Sequence, residues 1–207
     1  PCCLESIVES HLDAVRALAA KEWAEAATKP LSAVKFKAPF ITRAKVLGVA
    51  RNYHCSCKEA GIDPPQSPMW FAKLPNTLIG SGEAIRLPEG CGNVTYEGEI
   101  GVVIGKLAHK VQVAEAWQYI GGFTLVNDLT GAAMVKADNG NFLRGKNVDT
   151  FCPMGPFFVT ADEIADPHDL RVTLDMDGKR LQDGNTGNMV FNMYQLISQI
   201  SQTVTLE

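Results

Sequence analysis

The residues best equipped for chemistry are Glu97 and Glu99, spaced by one glycine in the apolar run Tyr96-Glu97-Gly98-Glu99-Ile100-Gly101-Val102-Val103-Ile104. Side chains alternate along a β-strand, so this spacing turns both carboxylates to one face. In a core, two bare anions so close would repel each other and lack solvation. A hard cation between them would remove both costs. A third carboxylate, Asp128, closes another apolar segment, Gly122-Phe123-Thr124-Leu125-Val126-Asn127-Asp128. Three oxygen donors suit Mg²⁺, Mn²⁺ or Ca²⁺ and disfavour a structural zinc site. The bare motif also allows a plainer arrangement, an edge strand whose glutamates face water while Asp128 opens a turn.

The elements that must position these groups are legible in outline. Leu4, Ile7, Val8, Leu12, Val15, Leu18, Ala19 and Trp23 recur at helical spacing until Pro30 stops the pattern, predicting an amphipathic N-terminal helix. From Val46 onward, short β segments alternate with Gly and Pro, with helices expected around Ala114–Tyr119 and Tyr194–Gln202. Asp177-Gly178, between Val172–Met176 and Lys179–Leu181, signals a hairpin with a type I′ turn. The pattern reads as α+β with strands dominating.

With 207 residues, 46% of them apolar and 20% charged, the chain can build one sizeable core. A net charge of −4, with no basic run longer than two residues, gives no reason to expect a nucleic-acid partner. No apolar stretch is long enough to span a bilayer, so no membrane partner is expected. The six cysteines (Cys2, Cys3, Cys55, Cys57, Cys91 and Cys152) form no C-x-x-C pair, which argues against a zinc cluster or disulfide framework. Reduced thiols place the chain in the cytoplasm or an organelle such as the mitochondrion. Gly80-Ser81-Gly82 does not complete a dinucleotide-binding motif.

The stretch Tyr96–Lys106 resembles the core signature of the fumarylacetoacetate hydrolase family, and other segments extend the likeness in the right order. They are Lys45–Tyr53, Gly121–Asp128, Lys146–Pro156, Asp166–Leu170 and Gly184–Met189. The resemblance runs from about Leu31 to Glu207. It implies a mixed β-roll or sandwich, assembled as a homodimer, with residues 1–44 as a helical appendage and 45–207 as the catalytic domain. Members of the family continue beyond the point where this sequence stops, with a Pro-Gly-Asp turn and a Gly-Thr-Pro substrate loop. On that comparison the closing C-terminal segment is absent.

The resemblance also implies roles. Glu97, Glu99 and Asp128 fall on the metal-ligand positions, with Mg²⁺ the expected ion and Mn²⁺ or Ca²⁺ the alternatives. Lys146 falls on the lysine that contacts substrate oxygens, and Lys73, in Trp70-Phe71-Ala72-Lys73, on a second substrate-binding lysine. The implied chemistry is metal-dependent turnover of a small anionic 2-oxo acid or β-dicarbonyl, by C–C hydrolysis, decarboxylation or isomerisation through an enolate.

The catalytic base departs from the pattern. Family members carry a His–Glu pair three residues apart on a lid helix, and here those positions are Ser56 and Glu59. His54 lies two residues earlier, about 200° around a helix from Ser56, and reads as a surface histidine. A serine hydroxyl is no base near neutral pH without a partner, so the loss weighs most against hydrolysis. Two substrate-orienting positions after Asp128 are also replaced, by Ala132 and Val135. A second reading is therefore a catalytically weakened member that serves as a metal- or metabolite-binding or dimerising protein.

Overall fold

The computed structural model describes residues 4–21, 28–40 and 45–207, so Trp23 lies outside the described residues. The N-terminal helical pattern forms two short helices, α1 (Leu4–Ser10) and α2 (Leu12–Ala19), separated at His11, whose ψ of 10° departs from helical geometry. Val8 is buried with Ala38, Phe40 and Met154, so α1 packs onto the strands, whereas α2 buries no side chain. Arg16 of α2 pairs with Asp162 across the surface.

Strand β1 (Val46–Ala50) runs directly into helix α3 (His54–Glu59) and pairs antiparallel with β2 (Met69–Lys73). The short strands β3 (Leu78–Gly80) and β4 (Val94–Thr95) precede β5 (Gly98–Ile104), which forms a long antiparallel pair with β6 (Ile120–Asn127). β7 (Thr130–Gly131) follows Asp128 and pairs with β4, and helices α4 (Ala132–Ala137) and α5 (Phe142–Lys146) come next. β8 (Cys152–Met154) and β9 (Val159–Thr160) both take the edge of β6 away from β5, completing a five-stranded sheet with β3 beside β8.

The predicted hairpin is present as β10 (Arg171–Met176) and β11 (Lys179–Asn185). Asp177 and Gly178 both take positive φ, 50° and 74°, as a type I′ turn requires. The expected helix near Ala114 is a 3₁₀ segment, Val113–Tyr119. Helix α6 (Met193–Ser201) starts with a reciprocal cap in which the Asn192 side chain accepts from Gln195 N and Gln195 bonds back to Asn192 N. Its buried face (Met193, Ile197 and Ile200) packs on Ala116, Ile120 and Phe123 to form the main core.

Between β1 and β5 lies a cavity of about 630 Å³. Lys45 to Val49 and Glu99 to Ile104 line it consecutively, so the strands present their edges rather than one pleated face. Among the described residues β1 pairs only with β2, and β5 only with β6. Among the described residues, no helix is long and apolar enough to cross a membrane.

Candidate active site

Glu97, Glu99, Asp128, Lys73 and Lys146 come from four stretches of chain and gather beside this cavity, which Lys73, Glu99 and Asp128 line. Glu97 precedes β5 by one residue, and its carbonyl accepts from Asp128 N at 2.9 Å, which fixes the two turns against each other. Glu97 N is in turn held by Asn127 Oδ1 at 3.1 Å. Glu99 lies on β5 itself and lines the cavity, whereas the Glu97 side chain, just before the strand, is partly exposed.

Lys146, at the last turn of α5, donates to Glu97 Oε1 and Asp128 Oδ2, each at 2.8 Å. Its Nζ also lies 5.1 Å from the centre of the Phe71 ring, within cation–π range. Lys73, facing inward from β2, donates to Asp128 Oδ1 at 2.7 Å and to the carbonyl oxygens of Lys146 and Phe151. Asp128 is therefore shared, one oxygen to each lysine. Thr130 adds a hydrogen bond to Glu97 Oε1 at 3.1 Å.

The electrostatics follow from burial and crowding. Burial raises the Glu99 carboxyl to about 8, with the negative charges of Glu97 and Asp128 adding to the effect and Lys146 offsetting part of it. Burial works to lower the Lys146 pKa, but Asp128 and Glu97 outweigh it and the net shift is upward, so Lys146 is held charged. Tyr53 is pushed up to about 12, first by burial and then by Glu99, and stays a neutral phenol. Cys152 is driven to about 11 by burial despite the nearby charge of Lys73, which makes its thiol a poor nucleophile.

Glu99, Asp128, Lys73, Asn52, Tyr53 and Cys152 line the cavity. Ser56 and Glu59 do not; both are exposed on α3, which is rooted at the cavity rim by Tyr53. α3 is helical through both positions, and His54 is exposed as expected for a surface histidine. The sequence reading assigned no role to Thr130, Asn127 or Tyr53. Tyr53 had a local signal, since it ends the strand entering the site, but Thr130 and Asn127 gain meaning only once the turn around Asp128 is folded.

Among the described residues, no three His, Cys, Asp or Glu side chains already form a metal-binding group. The ammonium of Lys146 bridges Glu97 and Asp128 where a cation would share them. The donor set nevertheless fits a hard divalent cation. It is all oxygen, and burial, with the negative charges of Glu97 and Asp128 adding to it, raises the proton affinity of Glu99. Glu97, Glu99 and Asp128 would hold the ion.

The protein is thus a strand-rich α+β domain that gathers three carboxylates and two buried lysines beside a cavity. Residues 45–207 match the family model for the fumarylacetoacetate hydrolase C-terminal domain, and the chain belongs to that family. It is 38% identical over 177 residues to the mitochondrial oxaloacetate tautomerase Fahd2a of Rattus norvegicus, which covers 86% of this chain and 56% of the relative. It is 37% identical over 194 residues to 2,4-didehydro-3-deoxy-L-rhamnonate hydrolase of a Sphingomonas strain, covering 93% and 68%. The chain thus spans little more than half the length of the tautomerase. Among solved structures, 2-hydroxyhepta-2,4-diene-1,7-dioate isomerase from Mycobacterium marinum superposes with a TM-score of 0.76 at 34% identity, covering 86% of this chain and 65% of that one.

Proposed function

We propose that the site interconverts the keto and enol forms of a small dicarboxylic 2-oxo acid such as oxaloacetate, with a divalent cation held by Glu97, Glu99 and Asp128. The observation that carries this reading is the convergence of those carboxylates with the charged Lys146 beside the cavity that Glu99 and Asp128 line. When bound, the cation supplies positive charge against which the substrate's enolate oxygen develops. Lys146 contributes a permanent positive charge for a dianionic substrate, and a neutral Tyr53 faces the cavity as a hydrogen-bond donor. Glu59, exposed on the helix that follows Tyr53, is the carboxylate assigned in this reading to carry a proton between carbon and oxygen, a role that requires α3 to close over the cavity when substrate binds.

Tautomerisation is favoured over C–C hydrolysis because it needs no activated water. Ser56 supplies no base, and neither Ala132 nor Val135 offers a polar group to orient a longer substrate. The 38% identity to an oxaloacetate tautomerase supports the same choice. Metal dependence, a homodimeric assembly and a mitochondrial or cytoplasmic setting are parts of this proposal.

The test is the ultraviolet decay of enol-oxaloacetate with Mg²⁺ or Mn²⁺ added to metal-free protein. Metal-dependent acceleration that Glu99→Gln reduces at least about a hundredfold is expected. Absence of acceleration in wild type, together with retained binding of Mn²⁺, would instead favour the weakened metal-binding protein.

A further inference from the structure

Lys73 lines the cavity, which makes it look like a second substrate ligand. Its ammonium, however, has three N–H groups and three protein acceptors: Asp128 Oδ1 and the carbonyls of Lys146 and Phe151. Its side chain is only 2% exposed. No donor remains for a substrate oxygen.

The same strand grips α5 along its length. Phe71 lies on the same face of β2 as Lys73, two residues earlier, with its ring over the Lys146 ammonium and 5.5 Å from the ring of Phe142 at the other end of α5. Between them, the carbonyl of Ala72 accepts from Asn147 Nδ2 at 3.0 Å, and Leu74 N donates to Asn147 Oδ1. Across the β1–β2 pair, Phe71 faces Gly48, where a Cβ would stand 2.4 Å from the ring. Gly48 thus leaves the space that lets Phe71 sit over Lys146.

We propose that Lys73 and Phe71 are positioning residues that act on the reaction through Lys146, and that Lys73 does not itself bind substrate. Lys73 fixes the carbonyl at the root of the Lys146 side chain and Phe71 confines its tip, so β2 sets where that charge points. This rests on the reading of Lys146 as the substrate-facing cation, and the test separates the two.

A double-mutant cycle decides the first part. In the oxaloacetate assay, Lys73→Met and Phe71→Leu should each lower kcat/KM about ten- to a hundredfold, the cost of a displaced catalytic group. In a Lys146→Met background, neither should cost more. Losses that multiply, with the Lys73→Met loss falling in KM, would show that Lys73 touches substrate and would overturn the proposal. The second readout needs no turnover: mass spectrometry of reductive methylation at Lys146. Phe71→Leu and Gly48→Ala should speed labelling of Lys146 several-fold and leave exposed Lys58 unchanged, in variants whose unfolding curves show a folded protein. Unchanged labelling would overturn the proposal even if Lys73→Met failed to fold. Faster labelling in a protein inert toward oxaloacetate would refute the proposed function alone.

Discussion

Replacing Lys146 by Met keeps the apolar stem and removes the charge between two carboxylates. Breaking a buried ion pair by deleting one partner costs about 3–5 kcal/mol. Two features put this case at the low end: Asp128 keeps Lys73, and the Glu97 side chain is 41% exposed, so water recovers part of its solvation. A loss of about 3 kcal/mol corresponds to a fall in melting temperature of about 6–12 °C for a chain of this size. The same deletion frees one oxygen each of Glu97 and Asp128 and removes a positive charge from beside the proposed cation. Mn²⁺ should therefore bind at least about tenfold more tightly, worth about 1.4 kcal/mol. The assay is thermal unfolding of wild type and Lys146→Met across a Mn²⁺ titration, with calorimetry for the affinity. Metal should recover much of the lost stability in the variant and shift its melting point more than that of wild type. An unchanged melting point without metal, or weaker Mn²⁺ binding in the variant, would refute the argument that ammonium and cation compete for these carboxylates.

Three more expectations follow from the same coordinates. Because Glu99 is raised from 4.5 to about 8, the folded state holds its proton more tightly than the unfolded state does, so metal-free stability should fall as pH rises through that window. Saturating Mn²⁺ should flatten the fall, and a metal-free melting point that rises over the window would contradict the direction of the shift. Ser56→His should raise hydrolysis of an acylpyruvate by about a hundredfold or more if the lid needs only its base, with Glu59 required; a flat result measured by product release would place the deficit elsewhere. Asn192→Ala, which deletes the cap of α6, should cost about 1 kcal/mol, or about 2–4 °C, in thermal unfolding without altering Mn²⁺ affinity.

What could be read before folding was local. The strand that carries Glu99, the Asp177–Gly178 turn and the helix near Tyr194 each depend on neighbours a few residues away, and each is present. The segment near Ala114 was legible as a helix, but its 3₁₀ winding was not, because apolar spacing does not separate a tight helix from an α-helix over so few residues. The break at His11 was equally hidden. The lysines show the larger gap. Lys73 reaches acceptors 55, 73 and 78 positions away, and no periodicity in the chain encodes that its donors are used up. Thr130 meets Glu97 across 33 positions for the same reason. Resemblance marked Lys73 and Lys146 as important, but only the contacts distinguish an ammonium with no N–H left to give from one bridging two carboxylates.

The free edges of β1 and β5 carry a kinetic consequence. Glu99 sits on a strand whose ladder runs to β6 on one side only, while the other side faces the cavity. Backbone amides directed toward the cavity have no ladder partner among the described residues, so they should exchange with solvent deuterium far faster than their alternating neighbours directed at β6. The carboxylate best suited to grip a cation thus rides on a rim strand that opens at lower free energy than the β6 backbone behind it. Any molecule that fills the slot and completes that ladder would stiffen the strand beneath Glu99, coupling occupancy of the slot to the grip on the ion.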